Sequence, residues 1–376
     1  MSKLENLIAE LCPDGVEFKT VKEVYKRLRG TPITAEKMKE IADENGDVRI
    51  FAGGKTVIDS FKKDIPNANV INVPAVIVQS RGIIDFIFYE KPFTFKNEMW
   101  AYTSEDRIAV KFLYYILKNN VQYFREIASG MGSLPQISLS ATEDFRIPIP
   151  PLEIQREIVR ILDKFSDSND GLISLLQREL ILRKKQYEFY RDQLLNFDSD
   201  VELKSIESLS KILTPKIKIK SNDYLTSGIY PVIDQGQKFI GGYTNATNVF
   251  PKGEYIIFGD HTCIVKFVDF EFAQGADGIK IIQTKSDEIL PKFLYYCMSN
   301  VRIESSYARH WSKMKAIEIP IPPIETQKKI VATLDRFDRL CNDLTSGIPA
   351  EIQARQKQYE YYRDKLLTFK IKEEFD

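Results

Sequence analysis

Two stretches of the chain carry a helical pattern of apolar positions that the rest does not. In the first, Ile154, Ile158, Ile161, Leu162 and Phe165 recur at helical spacing and predict an amphipathic helix of about four turns. A polar segment, SDSNDG at 166–171, predicts a break. After it, Ile173, Leu176, Leu180, Arg183, Tyr187, Tyr190, Leu194 and Phe197 follow an unbroken 3-4-3-4 alternation. The second stretch repeats that register in Thr345, Ile348, Ile352, Arg355, Tyr359, Tyr362, Leu366 and Phe369. Alternating 3/4 spacing is the seam of a coiled coil, and two matching seams in one chain predict an antiparallel pair with approximate two-fold symmetry. Elsewhere the pattern is β-like: VINVPAVIVQSRGIIDFIFYEKPFTF at 70–95 and GEYIIFGDHTCIVKFVDFEFAQGADGIKIIQ at 253–283 are β-branched and aromatic runs punctuated by Pro and Gly. Residues 111–128 and 291–308 look helical.

The helical stretches are copies. Residues 147–197, opening IPIPPLEIQ, align without a gap on residues 319–369, opening IPIPPIETQ, with 26 identities in 51 positions. Each opening is extended, because a proline pushes its predecessor toward β or polyproline geometry. Weaker echoes lie outside the block, VEFKTVKEVYK at 16–26 against VELKSIESLSK at 201–211 and KFLYY at 111–115 against 292–296. The reading is an α+β chain organised as variable domain (1–146), repeated helical region (147–197), variable domain (198–318) and repeated helical region (319–376), a pseudo-two-fold internal duplication. Ser346-Gly347-Ile348-Pro349 interrupts the second copy and predicts a kinked or shortened helix there.

Composition narrows the function classes. A chain of 376 residues with 28% charged residues is long enough for two ordinary cores and is not disordered in character. Four scattered cysteines, Cys12, Cys263, Cys297 and Cys341, suggest neither a disulfide framework nor a zinc ribbon, and the start lacks a signal-peptide pattern, so a cytoplasmic protein with no membrane segment is expected. Fifty-three basic against 53 acidic residues argue at first against a nucleic-acid binder. The basic excess is local: Lys22, Lys26, Arg27 and Arg29 follow VEFK, and Lys211, Lys216, Lys218 and Lys220 follow VELK. Such patches could lie along phosphates.

The variable domains also hold polar loops able to meet base edges or phosphates. Candidates in the first are Lys55, Gln79, Arg81, Ser133 and Gln136; in the second, Gln235, Gln237, Lys238, Tyr243, Asn245, His261 and Arg309. Catalytic motifs are missing: PDGVEFK places Asp14 and Glu17 too close for a nuclease site, no phosphate loop is present, and His261-Thr262-Cys263 has no second ligand pair nearby. On these residues alone, a DNA reader and a coiled-coil scaffold binding protein or glycan both stay open.

At IPIPPLEIQREIVRILDKF and IPIPPIETQKKIVATLDRF, continuing to KQYEFYRDQLLNF and KQYEYYRDKLLTF, the sequence resembles the specificity subunit of type I restriction-modification systems. GMGSLPQIS before the first block, and GGYTNATN with IIFGDHT in the second variable domain, also resemble that family, whereas no counterpart of GMGSLPQIS precedes the second block. The resemblance implies a non-catalytic DNA-reading subunit. Each variable domain would be a target-recognition domain reading one half of a bipartite, asymmetric site in double-stranded DNA. The helical regions would space the halves and dock two methyltransferase subunits, with restriction subunits joining that core. It also implies that the chain needs no cofactor of its own, and that S-adenosylmethionine, ATP and magnesium belong to those partners. The helix expected from Leu172 to Phe197 would be about 39 Å long at ~1.5 Å per residue, near the ~34–36 Å between half-sites one DNA turn apart.

Overall fold

The computed structural model describes residues 3–131, 134–197, 201–215, 217–275, 278–303, 309–343 and 345–372. The chain forms two compact units. One comprises Met1–Ser174 with Gln353–Asp376, the other Leu175–Ile352.

Within the first unit, the buried strand Ala75–Gln79 lies between Asp85–Tyr89 and Trp100–Thr103, with Lys26–Leu28 beyond, in a four-stranded antiparallel sheet. A three-stranded sheet places Val48–Phe51 between Val57–Ser60 (antiparallel) and Phe93–Phe95 (parallel). The second unit has the same plan. Tyr255–Gly259 lies between Val265–Val268 and Ile279–Thr284, with Ser210–Leu213 beyond, and Tyr230–Ile233 lies between Gly242–Thr244 and Ala273–Gln274. One helix packs on each larger sheet, Arg107–Asn119 in the first unit and Pro291–Asn300 in the second. The predicted helix at 111–128 is thus two pieces, the second being Val121–Glu126, and that at 291–308 ends at Asn300.

The short repeated motifs are what attach the helical block to each unit. Strand Glu17–Thr20 pairs with Arg146–Ile149, and Leu203–Ser205 pairs with Glu318–Pro320, so VEFK and VELK are the partners of the two IPIP openings. Proline is tolerated because each pair has only two strands. The Nε2 amides of the buried Gln155 and Gln327 each donate to the carbonyl five residues back, Pro150 and Pro322, at 2.8 Å. The first and last residues of each KFLYY converge on one carboxylate of the following helix. Lys111 Nζ and Tyr115 Oη donate to Asp163 at 2.8 and 2.5 Å, and Lys292 and Tyr296 donate to Asp335 at 2.7 and 2.5 Å. Ile154, Ile158 and Leu162 then join the first core, with Leu366 and Leu367; Ile330 and Leu334 join the second, with Leu194 and Leu195.

The predicted break at 166–171 does not occur: a single helix runs from Leu152 to Leu194, about 64 Å at ~1.5 Å per residue. Ser, Asp, Asn and Gly are weak helix formers, and six of them cost roughly 3–4 kcal/mol. Ending and renucleating a helix would instead orphan backbone groups at two new ends. The segment is also pinned, since the hydroxyls of Ser166 and Tyr359 are 2.8 Å apart and Phe165 packs on Tyr362. In the second copy the break is real and separates helix Ile324–Asn342 from Ile348–Leu367. There the Asp343 carboxylate accepts from Thr345 N, Thr345 Oγ1 and Ser346 Oγ at 2.7, 2.6 and 2.5 Å, which holds it down at about 2.

Most seam positions are covered, whereas Tyr190, Tyr362 and Thr345 are exposed. Ile173, Leu176, Leu180, Arg183, Tyr187 and Leu194 are half-buried, as are Ile352, Arg355, Tyr359 and Leu366, and Ile348 is buried. Pairing within each unit is antiparallel, and the partner of each seam's tyrosine end is the first helix of the other copy. Tyr362 meets Phe165 with ring centroids 5.6 Å apart; Tyr190 meets Phe337 at 5.5 Å, with Tyr187 beside it at 6.3 Å. Phe165 and Phe337 hold the same place in the duplication.

Candidate nucleic-acid interface

In the first unit, four loops are bound into one rim at the end of strand Ala75–Gln79. Gln79 is buried, and its Nε2 donates to the Gly54 carbonyl at 2.9 Å, fixing the turn between Phe51 and Val57. The Ser80 hydroxyl donates to the Glu98 carbonyl, bringing in the turn after Phe95. Ile137 N donates to Ser80 O at 3.0 Å and Gly82 N to Pro135 O at 2.9 Å, while Arg81 bridges Gln136. Those bonds lay the paired strands Ser129–Met131 and Leu134–Gln136 against the rim. Gly54 and Gly82 hold φ values of +70° and +78°, which glycine adopts without a Cβ penalty.

Lys55, Arg81 and Gln136 are left exposed, and Arg81 lines a cleft of about 620 Å³ together with Lys39, Lys96, Glu98 and Leu134. Gln79 is spent on the backbone and holds the rim from behind. A neighbouring cleft of about 410 Å³ runs from Asn97, in the same turn as Glu98, to Arg27 and Arg29.

The second unit builds an equivalent rim with other side chains. Asp260, buried at the end of Tyr255–Gly259, accepts at its carbonyl from His310 N (2.8 Å) and at Oδ1 from Trp311 N (2.8 Å); its own N–H donates to Gly278 O at 2.7 Å. His310 N to Asp260 O is the counterpart of Ile137 N to Ser80 O. Arg309 therefore stands where Gln136 stands, and His261 where Arg81 stands. Part of the GMGSLPQIS role is thus filled by Arg309-His310, a correspondence of backbone bonds with no sequence likeness behind it.

Gln235 joins its loop to this turn: its Oε1 accepts from His261 N at 3.3 Å, and its carbonyl accepts from Thr262 Oγ1 at 2.8 Å. Gly278, at φ +94°, lets the chain pass, since a Cβ there would lie 2.8 Å from Gln235 Nε2. Gln237, Lys238, His261 and Arg309 are exposed on the rim. Burial raises the Cys263 thiol, and among the described residues no group of three His, Cys, Asp or Glu could hold a metal ion.

Other candidates lie apart from the rims. Lys22 and Arg27 pair with Asp144 (2.5 Å) and Glu143 (3.2 Å), so half of the first basic stretch is neutralised, while Lys26 and Arg29 are exposed. Lys218 pairs with Gln274 as an isolated bridge, Tyr243 is half-buried within strand Gly242–Thr244, and Asn245 Oδ1 accepts from Ile229 N at 3.1 Å. Ser133 and Lys216 lie outside the described residues. The sequence reading missed Lys96 and Glu98, whose ion pair at 3.1 Å lies on the first rim, because a Lys-Asn-Glu turn looks like any solvated loop.

A chain built twice on one scaffold, with two polar rims of matching backbone and different side chains joined to a duplicated helical block, has the form of a two-module sequence reader. The family model of the type I restriction modification DNA specificity domain matches residues 13–180 and again 198–354. The chain belongs to this family, the non-catalytic specificity subunits that recognise DNA sequence in type I restriction-modification complexes. It is 30% identical to the specificity subunit of the Escherichia coli type I restriction enzyme EcoR124I/EcoR124II, covering 98% of this chain and 97% of the relative. A putative type I specificity subunit of Haemophilus influenzae, S.HindORF215P, is 30% identical over 73% of this chain and 76% of its own length. The fold matches the type I restriction-modification S subunit of M. genitalium with a TM-score of 0.56 and 16% identity, over 94% of this chain and 96% of that one. It also matches a chain from a study of complex assembly and conformational transition of the type I R-M system, with a TM-score of 0.59 and 15% identity, over 95% and 98%. No helix among the described residues is long and apolar enough to cross a membrane.

Proposed function

We propose that the two variable domains, 1–146 and 198–318, each read one half of a bipartite, asymmetric site in double-stranded DNA, using the exposed side chains of the two rims. The observation that carries this is the matched backbone closure, Ile137 N to Ser80 O and His310 N to Asp260 O, surrounded by different polar groups. One backbone frame with two linings suits two different half-sequences. Arg81, Lys55 and Gln136 supply bidentate and cationic groups to one half, and Gln237, Lys238, His261 and Arg309 to the other. The repeated regions 147–197 and 319–376 dock two methyltransferase subunits, and restriction subunits join that core. In support, the central helix leaves Leu175, Leu182 and Phe189 59–65% exposed at seven-residue intervals, an apolar stripe suited to a partner helix. S-adenosylmethionine, ATP and magnesium serve those partners. The zero net charge limits counterion release, so the chain alone binds DNA weakly and the assembled complex supplies the grip.

Co-expression with its methyltransferase subunit, followed by single-molecule mapping of methylated bases across the host genome, tests this reading. A split motif with methylated adenine in both parts is expected, and exchanging residues 20–146 for those of another family member should replace one half only. Unmodified DNA despite a stable complex would overturn it.

A further inference from the structure

Lys266 is a charged residue in a place where the fold does not need one. It lies in strand Val265–Val268, opposite Ile257, with its side chain 4% exposed. Burying an ammonium is costly unless its donors are met. Here all three are directed at one loop: Nζ donates to the carbonyls of Asp234 (2.8 Å), Lys238 (2.6 Å) and Phe239 (3.4 Å), with Asp234 Oδ1 3.7 Å away. Desolvation lowers its pKa and the Asp234 carboxylate opposes that shift.

The first unit shows what the strand requires on its own. At the same register, opposite Ile77, stands Ile87. The matching loop there spans only residues 52–56 and closes with its own bond, Ala52 N to Thr56 O at 3.0 Å. In the second unit the loop is longer, 234–241. Its base is tied by Gly236 N to Asp234 Oδ1 (2.9 Å) and Gly241 N to Val232 O (2.9 Å), and its middle is held by Lys266. Above that cation Gln237 and Lys238 are exposed, and Phe239, nearly half exposed, packs edge-on against Phe270.

We infer that Lys266 is a positioning residue for the second recognition domain: its buried ammonium sets the conformation of loop 234–241 and thereby aims Gln237 and Lys238 at the DNA. The inference rests on the proposed reading of DNA by the two rims. It assigns a specificity role to a side chain that cannot itself touch a base.

The test uses the complex with its methyltransferase and a library of sites carrying single-base changes in either half, scored by fraction methylated. In Lys266→Met, discrimination against changes in the second domain's half-site should fall at least tenfold, while discrimination in the other half changes less than twofold. Val268→Ala, a buried change in the same strand that leaves the loop's bonds intact, should lower Tm without loosening either half. Asp234→Asn, which keeps the ammonium and removes its counter-charge, covers the case in which Lys266→Met yields no folded complex; a two- to threefold loss confined to the same half is expected.

Unchanged discrimination in these loop variants, equal loss in both halves, or an equal loss in Val268→Ala would overturn the role of Lys266 while the wild-type split motif still stood. A wild-type complex that produced no split motif would instead overturn the DNA reading itself, and the role of Lys266 with it.

Discussion

Two rims, one in each unit, differ in nearly every side chain and agree in one hydrogen bond. In both, the chain just ahead of the repeated block donates a backbone N–H to the residue that follows a buried central strand, Ile137 to Ser80 and His310 to Asp260. Around that bond one unit sets Arg81, Gln136 and a short self-closed turn; the other sets His261, Arg309 and a longer loop folded over a buried lysine. Duplication kept the main-chain closure, which costs nothing in specificity, and left the exposed positions to diverge. A sequence reader can change what it recognises in this way without solving its fold again.

The largest effects should fall where the two units are most alike. Asp163 and Asp335 each accept from a lysine and a tyrosine, with distances in the two units agreeing within 0.1 Å. Asp163→Ala and Asp335→Ala should therefore cost about the same, about 2–3 kcal/mol each, because both leave a buried tyrosine hydroxyl and a half-buried lysine unmet. Each loss should register in the hydrogen exchange of its own unit, at 107–119 or at 291–300. If one substitution proved nearly silent, the two attachments would not be equivalent.

Next in size is a change confined to one lining. Arg81→Ala should reduce discrimination at one position of the first half-site by roughly ten- to a hundredfold, the ~1–3 kcal/mol of a bidentate base contact, and leave the second half untouched. Methylation of a library of site variants measures both. A uniform loss across every variant would make Arg81 a phosphate contact instead and would remove it from the comparison of linings.

What could be read in advance follows the same division. The seam was visible because a 3/4 alternation in Leu176, Leu180, Tyr187 and Leu194 has no other simple cause. The IPIPP and KFLYY motifs were visible as repeats, but their roles were not, because the partners of Gln155 and Asp163 are a carbonyl five residues back and two side chains some fifty residues away. The expected break at 166–171 failed on local propensity, which packing on Tyr359 and Tyr362 outweighs. Gln79 looked like a base reader because a Gln-Ser-Arg turn is polar, yet its amide is consumed holding Gly54. Lys266, in the strand pattern IVKFVDF, is not singled out by the sequence reading, because nothing in that pattern marks a lysine that points into the fold. Rim geometry is a property of pairs brought together by the sheets, and single-loop composition does not carry it.

A smaller effect separates the copies by pH. Glu157 is buried in the first copy and is held at about 2 by hydrogen bonds from Arg160 and Lys3, at 2.7 and 3.1 Å. Its counterpart in the second copy is the exposed Lys329. A carboxyl group lowered on folding contributes stability that is complete above its ordinary range near 4.5 and is lost as pH falls toward 2. With both partners mostly in solvent, the contribution is of order 1 kcal/mol. Between pH 5 and 3 the first unit should therefore lose the protection that Glu157 contributes, and Glu157→Gln should flatten the first unit's slope in hydrogen exchange while leaving the second unit's slope, to which Asp343 contributes, unchanged. A first-unit slope left unchanged by the substitution would assign its acid sensitivity to other groups.

The smallest test has opposite signs at two glycines of the helical block. Gly171 lies inside the continuous helix Leu152–Leu194, and a Cβ built there meets nothing within 4 Å. Gly171→Ala should stabilise the chain by about 0.5–1 kcal/mol, since alanine gives up less freedom in a helix. Gly347 lies at the break in the other copy, where a Cβ would fall 2.5 Å from Arg339 O and 2.8 Å from Asp343 O. Those carbonyls belong to the end of helix Ile324–Asn342 and to the Asp343 turn, which have no slack to give. Gly347→Ala should therefore lose at least as much as Gly171→Ala gains. Denaturation midpoints of the two variants decide whether the break is a built corner, which a methyl group disrupts, or a frayed helix end. In the second case alanine would stabilise both positions.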